Sequence, residues 1–186
     1  MSPHKVRQKM KAEKERARLR FKKHIRKNLF AEPGANDLVV ILDNLKPTFN
    51  VGKIFRSADV FGAREIHLIG IDFFDPASGK GALKWVPAKF FDTFEASYAR
   101  LVNMGYTVFI LEPGTGDPVH KANLPEKSAF VFGHEAFGIS FDPKEYDRVE
   151  RLKIPQFGRS QSLNVSVAAS VVMYEYVRRW GRLPEE

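Results

Sequence analysis

Five polar residues stand out by type and place. Asn50 and Arg56 lie six positions apart, Glu135 sits within Gly133-His-Glu-Ala-Phe-Gly138, and Ser162 and Asn164 are separated by one residue. Read locally, each has a plain role. Asn50 stands where a helix N-cap belongs, Arg56 is a solvated charge off the apolar stripe of that helix, and Glu135 can bond backbone N–H groups of its own loop. Ser162 and Asn164 fall at the start of the last long helix, where N–H groups are free for a ligand. The chain has no cysteine, which excludes thiolate catalysis, disulfides and the usual zinc clusters. His134-Glu135 does not open a zinc-protease helix, because Gly138 occupies the place of the second histidine. No metal ligand set is expected.

These positions need elements to carry them. Leu38-Val-Val-Ile-Leu-Asp43 is apolar without alternation, which predicts a strand buried on both faces. Val51, Ile54, Phe55, Ala58 and Phe61 follow at helical spacing and stop at Gly62, so a helix is expected with Asn50 as its cap. Glu65 to Gly70 completes a β-α-β unit, with a right-handed crossover expected. Pro87 makes Trp85 to Phe91 an edge or short strand. An amphipathic helix from Thr93 to Met104, a buried strand from Tyr106 to Leu111, a turn-rich loop to Pro118 and a strand from Ser128 to Phe132 come next. Ile154-Pro155 ends an apolar segment that reads as a strand, and a polar loop around Gly158 leads into the helix opened by Ser162. That helix is small or apolar on nearly every face from Val165 to Met173, which suits burial on several sides or against a partner subunit. The repeated alternation defines an α/β class with a largely parallel sheet flanked by helices.

Charge is unevenly placed. The 186 residues carry a net +8, yet residues 1–28 alone hold twelve Lys/Arg against two Glu. Good helix formers without glycine predict a frayed helix leaning on the body, so residues 1–30 read as a basic N-terminal helical arm and 31–186 as the folded domain. Such an arm attracts phosphates by releasing counterions; the plain alternative is a solvated tail. Gly79-Lys-Gly81 lacks the Walker pattern and no G-x-G-x-x-G follows the first strand, which argues against nucleoside triphosphate and nicotinamide sites. No apolar run approaches the roughly 20 residues of a membrane span, and the charged N-terminus has no secretory apolar core. A soluble, cytoplasmic protein is expected.

Three segments, in order, resemble the SpoU family of RNA 2′-O-ribose methyltransferases within the SPOUT superfamily. They are Asn50-Val-Gly-Lys-Ile-Phe-Arg56-Ser-Ala-Asp-Val-Phe-Gly62, Phe132-Gly-His-Glu135-Ala-Phe-Gly138-Ile-Ser140, and Ile154-Pro155 through Ser162-Leu-Asn164-Val-Ser166-Val-Ala-Ala169. The resemblance spans roughly Leu38 to Arg179. It implies S-adenosylmethionine as cofactor, a homodimer and a C-terminal deep trefoil knot, which no periodicity predicts. By matching position it implies cofactor contacts at Gly133, Ile154, Leu163, Leu111 and Gly138, and catalytic roles for Arg56, Asn50, Glu135, Ser162 and Asn164. With an RNA substrate so implied, the charge of the arm makes Lys5, Arg7, Lys9, Lys11, Arg16 and Arg20, with Lys53 off the apolar stripe of its helix, the expected RNA contacts.

The implied chemistry is modest in its demands. A ribose 2′-OH must be aligned, deprotonated and kept dry, while the sulfonium methyl is already activated. Arg56 is either an unusual base assisted by RNA phosphate or the group that positions and stabilises the alkoxide, since a guanidinium ordinarily stays protonated. The expected acceptor is tRNA, otherwise rRNA: Gly81-Ala-Leu-Lys-Trp85 is more similar to tRNA-acting relatives, while many relatives carry a separate RNA-binding domain where this sequence has a short arm. Two rivals remain: a catalytically silent RNA-binding or assembly module on the same scaffold, and a methylase acting on a base.

Overall fold

The structure, a computed structural model, describes residues 3–183. Helix α1 (Pro3–Asn28) leads into strand β1 (Asn36–Asp43), helix α2 (Phe49–Val60) and strand β2 (Ala63–Ile69). Two short 3-10 turns, Pro76–Gly79 and Ala82–Lys84, precede β3 (Ala88–Phe91), α3 (Phe94–Asn103), β4 (Thr107–Leu111), β5 (Asp117–Pro118) and β6 (Ser128–Phe132). A third such turn, Pro143–Glu145, β7 (Val149–Lys153) and α4 (Val165–Trp180) complete the chain.

The seven strands form one sheet in the order β3-β2-β1-β6-β4-β7-β5. Every pairing is parallel, so all strands point their carboxyl ends to one edge, where ligands of open α/β sheets sit. β1 shows why its run lacks alternation: Leu38, Val40 and Leu42 enter the core beneath α2 and α4, while Val39 and Ile41 enter the core on the α3 side. Both faces are covered, as parallel sheets require.

Local chemistry sets the helix positions. Gly52 of α2 lies against the first 3-10 turn so closely that a Cβ there would stand 2.3 Å from Ser78 Oγ, and one at Gly79 would stand 2.7 Å from Gly52 O. Two glycines therefore let α2 seat directly on the segment after β2. α4 packs on the other side of α2, with Ser57 Oγ and Ser170 Oγ 2.8 Å apart and the Phe61 and Tyr174 rings at 6.3 Å. Thr93 caps α3 by accepting from Ala96 N at 3.4 Å.

The N-terminal segment is helical over Pro3–Asn28, and its second half leans on the body as expected. Ala17 is buried and Phe21 meets Phe73 and Phe74 edge to face. Asn28, also buried, donates to Leu83 O and Val86 O at 2.7 Å each and accepts from Ala88 N at 3.0 Å. By contrast, every residue from Lys5 to Arg16 is exposed.

A polar network is enclosed on the α3 side. His67 and Ser97 are fully buried and Glu65 nearly so. His67 Nδ1 lies 2.7 Å from Ser97 Oγ and Nε2 lies 2.9 Å from Glu65 Oε1, with Arg100 reaching the same carboxylate. Burial lowers the His67 pKa despite that carboxylate, with Arg100 adding to the shift. The ring is therefore neutral, its Nε2–H donating to Glu65 and its Nδ1 accepting from the Ser97 hydroxyl.

Candidate active site

Past the carboxyl ends of β4 and β6 the chain encloses a cleft of about 650 Å³, within the range of roughly 300–1,000 Å³ usual for small-molecule sites. Leu111 and Phe132 end the two strands, and residues 133–136, 138–139, 154, 156 and 162–165 form the walls. All five positions expected to touch a cofactor, Leu111, Gly133, Gly138, Ile154 and Leu163, line this cleft together with Glu135, Ser162 and Asn164. Segments far apart in sequence thus converge.

The first wall is a closed turn. His134 N donates to Gly138 O and Gly138 N donates to His134 O, both at 2.8 Å. Gly138 adopts φ +73°, open to glycine without strain, and a Cβ on Gly133 would stand 2.5 Å from the Gly138 carbonyl carbon. Beyond the turn Ser140 donates to buried Asp43 twice, from N to Oδ2 at 2.6 Å and from Oγ to Oδ1 at 2.8 Å. Asp43 was legible only as the end of a strand; its signal was a lone carboxylate closing an otherwise apolar run.

The rim is tied by an amide-carboxylate chain. Asn50 Nδ2 donates to Glu135 Oε1 at 3.0 Å, Asn164 Nδ2 donates to Asn50 Oδ1 at 3.2 Å, and the Lys46 backbone N–H donates to Glu135 Oε2 at 3.3 Å. Asn50 is accordingly not a cap. The N-cap of α2 is Thr48, without a side-chain bond, and Asn50 lies in the first turn with its amide turned to the other two segments. At α4 the cap is Asn164, whose Oδ1 accepts from Ser166 N at 3.0 Å. The helix begins at Val165, so Ser162 does not open it and stands in the loop ahead. Burial pushes the Glu135 carboxyl up, but its own backbone N–H, Asn50 and Lys46 outweigh that, and the net shift is below the ordinary carboxylate range. Glu135 is ionised at neutral pH.

Arg56 is not in the cleft of its own chain. Phe49, Lys53, Arg56 and Val60 recur at helical spacing along one exposed side of α2, and Arg56 has no hydrogen bond or ion pair among the described residues. On α4, Val167, Val171 and Tyr174 form a second exposed stripe. Among the cations expected to meet RNA, Lys5, Arg7, Lys9, Lys11, Arg16 and Lys53 are exposed. Arg20 departs from that set: its Nε and Nη2 hold Asp75 at 3.1 and 2.7 Å, so its charge is engaged in docking α1. Other cleft residues escaped sequence reasoning, among them Glu112, Thr115, His134 and Gln156. Among the described residues no group of His, Asp or Glu is arranged to hold a metal ion.

A parallel α/β sheet whose carboxyl-end loops wall one glycine-lined cleft belongs to the class of proteins that bind a small organic cofactor at that edge. The chain belongs to the SpoU rRNA Methylase family, whose profile matches residues 37–174. A tRNA (guanosine(18)-2′-O)-methyltransferase of Thermus thermophilus is 32% identical over 149 residues, covering 77% of this chain and 75% of the relative. The TrmH/SpoU tRNA modifying enzyme of A. aeolicus superimposes with a TM-score of 0.70 at 25% identity, over 85% of this chain and 82% of that one. The SpoU methyltransferase AviRb of Streptomyces viridochromogenes, solved with the cofactor AdoMet, gives a TM-score of 0.66 at 25% identity, over 78% of this chain and 62% of that one.

Proposed function

We propose that the protein is an S-adenosylmethionine-dependent RNA 2′-O-methyltransferase, with tRNA as the favoured acceptor and rRNA the alternative. One observation carries the reading: Leu111, Gly133, Gly138, Ile154 and Leu163 line a single cleft whose rim is tied by Asn50, Glu135 and Asn164. The cleft fits the cofactor in chemistry as well as size. Leu111, Phe132, Ile139, Ile154, Leu163 and Val165 offer apolar surface to an adenine ring, and Gly133 and Gly138 let backbone approach it closely. Bound there, the cofactor supplies a methyl group already activated by a sulfonium.

The chain's residues have three remaining tasks. The Asn50-Glu135-Asn164 ladder holds the two walls at a fixed separation and so presents the methyl in one place. Ser162 and Asn164 line the mouth where the acceptor ribose enters. Arg56, a hydrogen-bond donor with no acceptor lone pair, orients the 2′-OH and stabilises the negative charge that develops on its oxygen as the proton passes to solvent.

A homodimer brings Arg56 to the site. The exposed stripes on α2 and α4 lie on adjacent helices, and their apolar members Phe49, Val60, Val167, Val171 and Tyr174 make a surface of the kind a partner normally covers. The same reading gives the C-terminal segment the trefoil knot of the superfamily, and what supports it is that β7 sits between β4 and β5 while residues of the 154–165 segment border the cleft at the ends of β4 and β6 before α4 packs on α2. Residues 1–30 act as an RNA-binding arm on a methyltransferase domain of residues 31–186, in the cytoplasm, where the projecting cations gather the phosphate backbone.

The test pairs cofactor titration by calorimetry with transfer of labelled methyl to tRNA and rRNA transcripts. Saturable cofactor binding with transfer to one RNA class is the expected result. Absence of both sinks the reading.

A further inference from the structure

The turn that walls the cleft carries one side chain the cofactor does not need. His134, Glu135, Ala136 and Gly138 line the cleft, whereas Phe137 does not and is 85% exposed. The ring does not ride on a loose tip. The paired His134 and Gly138 bonds close the turn around it, Glu135 ties the turn to Asn50 and the Lys46 backbone, and Ser140 anchors its far side to Asp43. The His134 ring backs Phe137 at 4.7 Å and 34°, and is itself held by Ala136 N–H donating to Nδ1 at 2.9 Å.

A fixed aromatic ring, supported by a second ring and exposed at the mouth of a cleft, is a stacking platform. What must come to that mouth is the methyl acceptor, and unpaired RNA bases are characteristically held on aromatic side chains. Resting on the methyl-transfer reading above, we propose that Phe137, backed by His134, stacks on an unpaired nucleobase of the acceptor RNA and so holds the strand with its ribose at the cleft.

The test compares the full-length protein with Phe137→Ala and Phe137→Trp. The probe is a single-stranded RNA containing 2-aminopurine riboside, whose emission falls on stacking; cofactor affinity and sedimentation are measured alongside. Phe137→Ala is expected to weaken RNA affinity on the order of tenfold or more and to raise KM for RNA more than it lowers kcat. Cofactor affinity and oligomeric state should stay unchanged, and Phe137→Trp should restore binding. Three results overturn the proposal: RNA affinity equal to the parent's, an equal loss of cofactor affinity, which makes the ring a cofactor wall, or dissociation of the oligomer, which makes it a subunit contact. If the parent neither binds cofactor nor methylates RNA, the functional reading falls as well. If the parent does both and Phe137→Ala matches it, only the platform falls.

Discussion

Replacing Asn50 by aspartate separates the ladder's hydrogen bonds from its charge. The substitution is isosteric and keeps the oxygen that accepts from Asn164, but it sets a carboxylate where an amide now donates to Glu135 Oε1 at 3.0 Å. At that spacing two unit charges repel by about 1.4 kcal/mol in bulk water, and more where water is excluded. The lost bond adds about 1 kcal/mol, so the walls should part at a cost of about 2 kcal/mol, on the order of a thirtyfold weaker cofactor affinity. Asn50→Ala loses both bonds, at a similar or smaller cost, and introduces no charge. The two variants therefore differ in pH dependence. Glu135 is held below the ordinary carboxylate range in the parent, so parental affinity should be flat from about pH 8 down to about pH 5. In Asn50→Asp the paired carboxylates raise one another's pKa, and the defect should shrink as pH falls toward 5 and one proton is shared. Calorimetric titration of all three proteins across that range decides it. An Asn50→Asp defect as insensitive to pH as that of Asn50→Ala, or no defect at all, refutes the ladder as the element that sets the cleft.

Arg56→Ala should leave cofactor affinity intact and slow single-turnover methylation roughly a hundredfold, about 3 kcal/mol of barrier; an unchanged rate removes Arg56 from the chemistry. Asn28→Ala leaves Leu83 O, Val86 O and Ala88 N without their partner, so stability in denaturant titration should fall by about 2–4 kcal/mol, and limited proteolysis should then release the basic helix first. His67 has a pKa lowered from 6.5 chiefly by burial, and Glu65 one lowered from 4.5 by His67 and Arg100 against the opposing effect of burial. Both bind protons more readily unfolded, so stability should be full above about pH 6.5 and decline as pH falls below it. His67→Gln should abolish the upper part of that decline in thermal melts at stepped pH.

Much of the scaffold was legible because burial on two faces leaves a mark. The runs Leu38 to Asp43, Tyr106 to Leu111 and Ser128 to Phe132 each proved to hold a central strand, as continuous apolar stretches should. The two-residue β5 was not visible within its turn-rich loop, since Asp117-Pro118 has neither length nor pattern. Strand order was hidden too: β6 pairs with β1 between residues 90 positions apart, from Leu38 with Ser128 to Leu42 with Phe132, a contact no local signal reports. At the site, Glu135 and Asn164 meet at the cleft rim, whereas Asn50, read locally as a helix cap, has its hydrogen-bond partners 85 and 114 positions away. Arg20 looked like its neighbours on the helix until the fold placed Asp75 against it. The buried His67-Glu65-Ser97 set was likewise unreadable, because two of its members lie in a strand and the third on a helix packed above it.

The central claim concerns a single atom of the product. RNA methylated by the purified protein with isotopically labelled cofactor, digested to nucleosides and resolved by mass spectrometry, should carry the label on the ribose of one nucleotide. Label on a base, or on no nucleoside while the cofactor remains bound and unconsumed, contradicts the account.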